Sequence, residues 1–150
     1  MKVIVHSGPD GGVTVTVPVE PMREGETGDG YIARIAGRAV PRDAVDIMVC
    51  EDSDIPQDRT FRGAWRLAGG KVVVDMPLAR AIKLERIRAE RNRRLEATDK
   101  DVAKLDGDPV PASLKARRQA LRDLPQTIQA ELDAIDQPAT LKLFEPNWPV

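Results

Sequence analysis

The first third of the chain alternates apolar and polar positions with the two-residue rhythm of strands. Val3, Ile4 and Val5 are followed by the turn-forming run Ser7-Gly8-Pro9-Asp10-Gly11-Gly12 and then by Val13-Thr14-Val15-Thr16-Val17. This pattern predicts an antiparallel hairpin, stopped by Pro18 and Pro21 because proline cannot donate to a ladder. Glu24 to Gly30 offers nothing to bury and reads as a flexible acidic loop. Tyr31, Ile32, Ile35 and Ala36 then fall at helical spacing, predicting a short helix that Gly37 ends. Val45 to Cys50, apolar except for Asp46, predicts a third strand and Val72 to Val74 a fourth. The simplest arrangement joins all four in one small, mostly antiparallel sheet.

From Asp75 onward the period changes to 3.6. Asp75 is suited to N-capping, and Pro77 is tolerated in a first turn, where its missing N–H had no partner in any case. Leu78, Ala81, Ile82, Leu84, Ala89 and Leu95 project into one arc, with Lys83, Arg86, Glu90 and Arg93 opposite. Arg88 and Arg91 fall inside the apolar arc and must snorkel or meet acidic groups. After the break Asp106-Gly107-Asp108-Pro109, a second helix is predicted over Ser113 to Arg122, with Leu114 and Leu121 on one side. Pro125 is expected to start a third, carrying Ile128, Leu132 and Ile135 until Pro138 ends it, and the residues from Leu141 to Val150 are expected to be extended. Packing Met76–Lys104 against Ser113–Asp136 gives an antiparallel helical hairpin. The expected fold class is α+β: a β-rich part over 1–74 and a charged helical hairpin with its tail over 75–150, forming one compact unit or two loosely packed subdomains.

Composition narrows the function classes. Aromatic residues make up 3% of 150 residues, so the core must be built from Val, Ile, Leu and Ala. The net charge of −1 shows no overall basic excess. The charge is nevertheless divided: Glu20–Thr60 holds ten acids and five arginines, whereas Met76–Ala97 holds seven bases and three acids. A nucleic-acid-binding or regulatory module using the basic helix 76–97 is therefore the alternative function to weigh. Against it, Glu85, Glu90 and Glu96 interleave with the arginines, and no aromatic residue interrupts the basic run to stack on bases. A single cysteine, Cys50, excludes an internal disulfide and cysteine-based zinc fingers. The chain has neither a signal-peptide pattern nor a run of the roughly 20 apolar residues a membrane span needs, and is expected to be cytosolic when made.

Candidate chemistry is sparse. His6 and Ser7 are neighbours in a strand and point to opposite faces, which defeats a hydrolase pairing. Cys50 closes a Val-rich strand and reads as a small core residue. Glu51, Asp52, Asp54 and Asp58 lack the spacing of a helix-loop-helix calcium site and read as a solvated loop. No catalytic, cofactor-binding or metal-binding residue is expected. Phe61 and Trp65 read as core aromatics that fasten the sheet to the helices, and Trp148 as either a clasp or an exposed anchor.

Several blocks together carry a family resemblance. They are Arg59-Thr60-Phe61-Arg62-Gly63-Ala64-Trp65 with its lead-in Val45 to Pro56, Asp75-Met76, the helix with Arg86 to Arg94, Gln119-Ala120-Leu121-Arg122-Asp123, and Asn147-Trp148-Pro149. In combination they resemble small proteins encoded among the tail and tail-fibre genes of tailed bacteriophages and prophages, of the tail-assembly-chaperone-like kind. Gly63 stands where asparagine often appears, and Thr127 to Phe144 departs from the usual spacing. The resemblance implies a non-enzymatic protein acting by protein–protein contact. Such a protein is either a minor component of the tail tip or fibre attachment region or a tail-fibre assembly chaperone. Its partners would be other tail or tail-fibre proteins or a second copy, and its place the host cytoplasm during assembly, or the virion tail. The residues expected at the contact are Leu78, Ile82, Leu114, Leu121 and Trp148, with Arg88 and Arg91 selecting acidic partners. Strand addition by Val13 to Val17 to another protein's sheet is a further expectation for the N-terminal part.

Overall fold

A computed structural model describes residues Met1–Val150. It is α+β, with small antiparallel sheets in the N-terminal half followed by helices. The chain divides into two compact units, Met1–Asp75 and Met76–Val150. No helix is long and apolar enough to cross a membrane.

The β unit is organised around β1 (Lys2–Ser7), which lies between β2 (Val13–Thr16) and β3 (Asp46–Glu51) in an antiparallel sheet of order β2-β1-β3. Val3 to Ser7 are all buried, because both faces of this central strand are covered. On one face Val3 and Val5 pack with Ile55, Trp65 and Val72; on the other, Ile4 packs with Ile32 and Ile35 of α1 (Gly28–Ala39). A strand covered on both sides reads as a continuous apolar run, which is why Val3-Ile4-Val5 shows no alternation. Instead of one four-stranded sheet there are two. Val72 to Val74 belong to β5 (Lys71–Val74), which pairs only with β4 (Trp65–Ala68) across Gly69 and Gly70. Both glycines have positive φ, 58° and 72°, the backbone a tight two-residue hairpin requires. The hairpin lies over the Val3/Val5 face, with β4 packed against β1 and β2.

The Arg59–Trp65 block is the approach to β4. The Asp58 carboxylate accepts from the Thr60 N–H at 2.8 Å, a 3₁₀ turn spans Arg62–Ala64, and the Ala64 carbonyl accepts from the Asp75 N–H at 2.8 Å. Trp65 therefore sits in the core of the β unit, with the Arg62 guanidinium 5.9 Å from its ring centre.

Helix α1 runs through Gly37 to Ala39, longer than the sequence pattern predicts. An interior glycine costs a helix about 1 kcal/mol, and here the helix is held at several points. Thr27 caps its start by accepting from the Gly30 N–H at 3.1 Å, Ile32 and Ile35 are buried on Ile4, and Arg34 anchors its outer side. The Arg34 guanidinium donates to Glu26 at 2.8 Å and Glu20 at 2.7 Å and lies 5.4 Å from the Tyr31 ring centre. The acidic loop is thus tied to α1 through Glu26, rather than being the flexible tip its composition suggests.

The helical unit opens with α2 (Met76–Ala103), which continues six residues beyond Ala97. Its partner α3 (Ala112–Thr127) contains Pro125 near its end. The predicted break at Pro125 falls instead at Ile128, the junction to α4 (Gln129–Ala134), so Pro125 is carried inside α3 at the loss of one ladder bond, the one its N–H would have made to the Leu121 carbonyl. Pro138 does not terminate a helix; it stands at the first position of α5 (Pro138–Leu143), where its fixed φ is favourable. Only the residues after Leu143 are irregular, so the expected extended tail is shorter by one helix. Helices α3, α4 and α5 all pack on α2.

Leu121 is 0% exposed and Leu143 78% exposed; Leu121→Ala is expected to destabilise the protein by about 2–5 kcal/mol and Leu143→Ala by less than about 0.5 kcal/mol, read from urea unfolding midpoints. The Glu26 carboxyl is held down to about 2 by the Arg34 guanidinium and the Arg23 N–H, against an ordinary 4.5. Because the folded state lowers it, the ion pair stabilises fully above about pH 4.5 and its contribution disappears as pH falls toward 2. The stability gap between wild type and Glu26→Gln should be constant from pH 7 to 5 and narrow below 4.5.

Candidate protein-contact surface

Helix α2 buries Ala79, Lys83, Leu84, Ile87 and Thr98. This face differs from the arc of apolar residues in the sequence: Ala81 and Ala89 are exposed, while Leu78, Ile82 and Leu95 are half-buried. The inward stripe is instead Arg80, Lys83, Ile87, Arg91, Arg94 and Thr98, each three or four residues from the last, so basic side chains occupy positions that pattern rules assign to apolar ones. Their alkyl stems supply apolar surface, and the heads of Arg80 and Lys83 reach polar groups of the following helices.

Those heads have specific acceptors. Arg80 Nε donates to the Ile135 carbonyl at 2.9 Å, at the C-cap of α4, and Lys83 Nζ to the Lys142 carbonyl at 3.2 Å, in the last turn of α5. A helix leaves its last carbonyls without donors, and a cation there is favoured by both hydrogen bonding and the helix dipole. Lys83 Nζ also lies 3.5 Å from the Glu145 carboxylate. Further along, the Arg94 guanidinium stacks 4.3 Å from the centre of the Trp148 ring, while its Nε donates to Glu90 at 2.9 Å. Trp148 is accordingly a clasp that returns the tail to α2, half-buried beside a cleft of about 350 Å³ between Lys83, Ile87, Arg94 and Glu145. At the other end of the hairpin Arg118 of α3 donates to Thr98 Oγ1 and Asp99 Oδ1, both at 2.6 Å, and Thr98 donates to the Leu95 carbonyl.

Among the residues expected at a contact, Leu78, Ile82 and Leu114 are half-buried, and Arg88 is exposed and paired with Glu85. Arg91 is half-buried with its Nε enclosed and no hydrogen-bond partner. Leu121 is in the core of the helical unit. Leu78 and Ile82, four apart, share a face turned away from the Lys83–Ile87 stripe. The structure brings Trp148 to Arg94, which the sequence reading did not single out; it also missed Arg80 and Lys83. Their three-four spacing was the available signal, and it was masked by the assumption that a core stripe is apolar.

Elsewhere the polar clusters serve the fold. Glu51 pairs with the Met1 ammonium at 2.9 Å, and Asp54 accepts from the Glu51 N–H at 3.1 Å. No group of three or more His, Cys, Asp or Glu is placed to hold a metal ion. The Cys50 thiol is pushed up by burial and by Asp54, Glu51 and Asp52, which disfavours the nucleophilic thiolate. His6 is buried in β1, and Ser7 Oγ donates toward Asp46 at 3.4 Å.

Replacing Lys83 by Met keeps the stem and removes the donor to α5. Loss of a charge-assisted hydrogen bond of this kind costs about 1.5–3 kcal/mol, so amide exchange across residues 138–143 should accelerate at least roughly tenfold while α3 is unaffected. Equal exchange in both proteins would mean that Lys83 does not hold α5.

No curated protein and no solved structure matches the chain. Residues 84–150, from the third turn of α2 through the clasped tail, match the family model of phage tail assembly chaperone proteins, and this part of the chain is similar to that family, which supports a phage tail-assembly-like protein.

Proposed function

We propose that this is a non-enzymatic phage tail protein that works by protein–protein contact, acting transiently as an assembly chaperone for tail or tail-fibre proteins. The observation that carries the reading is the match of residues 84–150 to the tail assembly chaperone family. It covers almost all of the helical unit, including the tail that Arg94 and Lys83 hold. The internal use of Arg80, Lys83, Arg94 and Arg118 supports contact over nucleic-acid binding, since these cations are committed to carbonyls, a hydroxyl, carboxylates and an indole of their own unit. A transient role in assembly places the protein in the host cytoplasm, and the alternative is a minor component of the tail tip or fibre attachment region.

The contact is proposed on α2 and α3, through Leu78, Ile82 and Leu114 with Arg88 choosing an acidic partner. Arg91, Leu121 and Trp148 act from behind, Leu121 by fixing the helix pair and Trp148 by holding the tail. Partly exposed aliphatic side chains ringed by charge are typical of an interface that forms and dissolves. In cells making phage tails, the tagged full-length protein should capture a tail or tail-fibre protein, and the double variant Ile82→Glu, Arg88→Glu should reduce that capture at least tenfold with unchanged helicity by circular dichroism. Mass spectrometry of purified particles should not find the protein. Undiminished capture by the double variant would remove this face from the interface, and recovery in particles at stoichiometric level would replace the chaperone reading with the structural one.

A further inference from the structure

Strand β3 is the edge of its sheet, hydrogen-bonded to β1 on one side and to no strand on the other. Asp52 N–H donates to the Met1 carbonyl at 2.8 Å, which fixes residues 1 and 52 as a hydrogen-bonded pair. Along an antiparallel ladder the bonded pairs alternate, so Met48 and Cys50 address β1 while Ile47, Val49 and Glu51 turn their backbone groups outward. The outward N–H of Glu51 is taken by Asp54. Ile47 and Val49 are left as a short template on the open edge.

The side chains of this edge are apolar and uncovered. Ile47 is opposite His6 and Val49 opposite Ile4, on the face that α1 covers. Helix α1 shields Ile4 completely but leaves Ile47 58% and Val49 46% exposed, with Val45 exposed beside them. Between α1 and the end of β3 runs a groove of about 580 Å³, floored by Ile32, Ala33, Ala36 and Val49, with three acids, Asp29, Glu51 and Asp54, and one base, Lys2, at its rim, Lys2 lying 3.4 Å from Asp29.

Charge decides what fits. Residues 43–54 carry five acids, Asp43, Asp46, Glu51, Asp52 and Asp54, and no base. If a second copy added its own β3 antiparallel on this template, Ile47 of each would face Val49 of the other and the two five-acid segments would lie side by side, a juxtaposition of like charge that disfavours the pair. The edge is therefore protected against itself while remaining open to a strand of opposite charge.

We infer that the outer edge of β3, together with the α1 groove, is a docking site for an extended segment of another protein, with alternating β-branched residues flanked by Lys or Arg. The segment adds a fourth strand on the backbone of Ile47 and Val49. One of its apolar side chains enters the groove, and its basic ends meet Asp46 on one side and Asp54 on the other, Asp29 and Glu51 being paired with Lys2 and the Met1 ammonium. The site lies within Met1–Asp75 and does not depend on the tail-assembly reading, which rests on residues 84–150.

The test is a titration of the full-length, isotope-labelled protein with a synthetic peptide, Lys-Thr-Val-Thr-Val-Thr-Arg, against the control Glu-Thr-Val-Thr-Val-Thr-Glu, followed by amide shifts at low and moderate salt. The basic peptide should shift Ile47, Val49 and Ile32 and bind at least tenfold more tightly than the acidic one, with the advantage shrinking as salt rises. Ile47→Lys, at an exposed position, should weaken binding at least tenfold with unchanged circular dichroism. Equal binding of the two peptides, or no binding at millimolar peptide, would overturn the inference. So would shifts confined to the opposite edge at Val13–Thr16, or self-association that Ile47→Lys abolishes.

Discussion

The helical unit depends on a donor problem. Helices α4 and α5 have six residues each, far below the length at which a helix holds in water by itself, and their final carbonyls have no partners within the helix. Arg80 and Lys83, one turn apart on the long rigid α2, supply those donors, at Ile135 and Lys142. Without them, those final carbonyls would lose a charge-assisted hydrogen bond each, worth about 1.5–3 kcal/mol. With them, α2 becomes the template on which everything after residue 128 is ordered. The same logic extends to Trp148, whose ring meets the Arg94 guanidinium in place of another aromatic residue. A chain with 3% aromatic residues has few rings to stack, and an arginine plane is a workable substitute.

The β unit meets a different constraint with the opposite distribution of polarity. Its central strand is covered on both faces, by the β4–β5 hairpin over Val3 and Val5 and by α1 over Ile4. On the hairpin side Met48 and Cys50 of β3 join the cluster, whereas on the α1 side the helix covers Ile4 and leaves Ile47 and Val49 of β3 exposed. The core is therefore secure at β1 while apolar side chains remain in view on β3. The acids at its ends are a recognised way of keeping such an edge from pairing with a copy of itself.

Much of this was legible in the sequence, and what was not has identifiable causes. The hairpin of β1 and β2 follows from turn chemistry and alternation, β3 from its apolar run, and the start of α2 from Asp75 and Pro77, all of them local signals. Two kinds of element escaped. Strand β4, Trp65-Arg66-Leu67-Ala68, is too short and too mixed to declare itself, and becomes a strand only because the glycine turn at 69 and 70 folds β5 onto it. Helix α5 was hidden by Pro138, which was read as a terminator although a first-turn position suits it equally. At the candidate contact surface Ile82 and Leu114 keep partial exposure as an interface needs, but Leu121 is a core residue, a distinction that helical spacing alone does not carry.

The electrostatic character of the protein also changes once the fold is known. Read along the chain, the dominant feature is a basic helix, and the natural inference is an acidic or phosphate-bearing partner. In three dimensions Arg80, Lys83 and Arg94 are turned inward to carbonyls, a carboxylate and an indole, and the exposed Arg88 and Arg93 are paired with Glu85 and Glu90. The acids of residues 43–54 are only partly compensated: Glu51 holds the Met1 ammonium and has Lys2 nearby, while the segment itself contains no base. Charges neutralised at contact distance create little field beyond a Debye length, whereas a cluster that keeps a net charge on an open edge acts on whatever approaches. The acidic edge of the β unit therefore presents a net field to an approaching partner, while much of the basic helix's charge is spent on holding its own unit together.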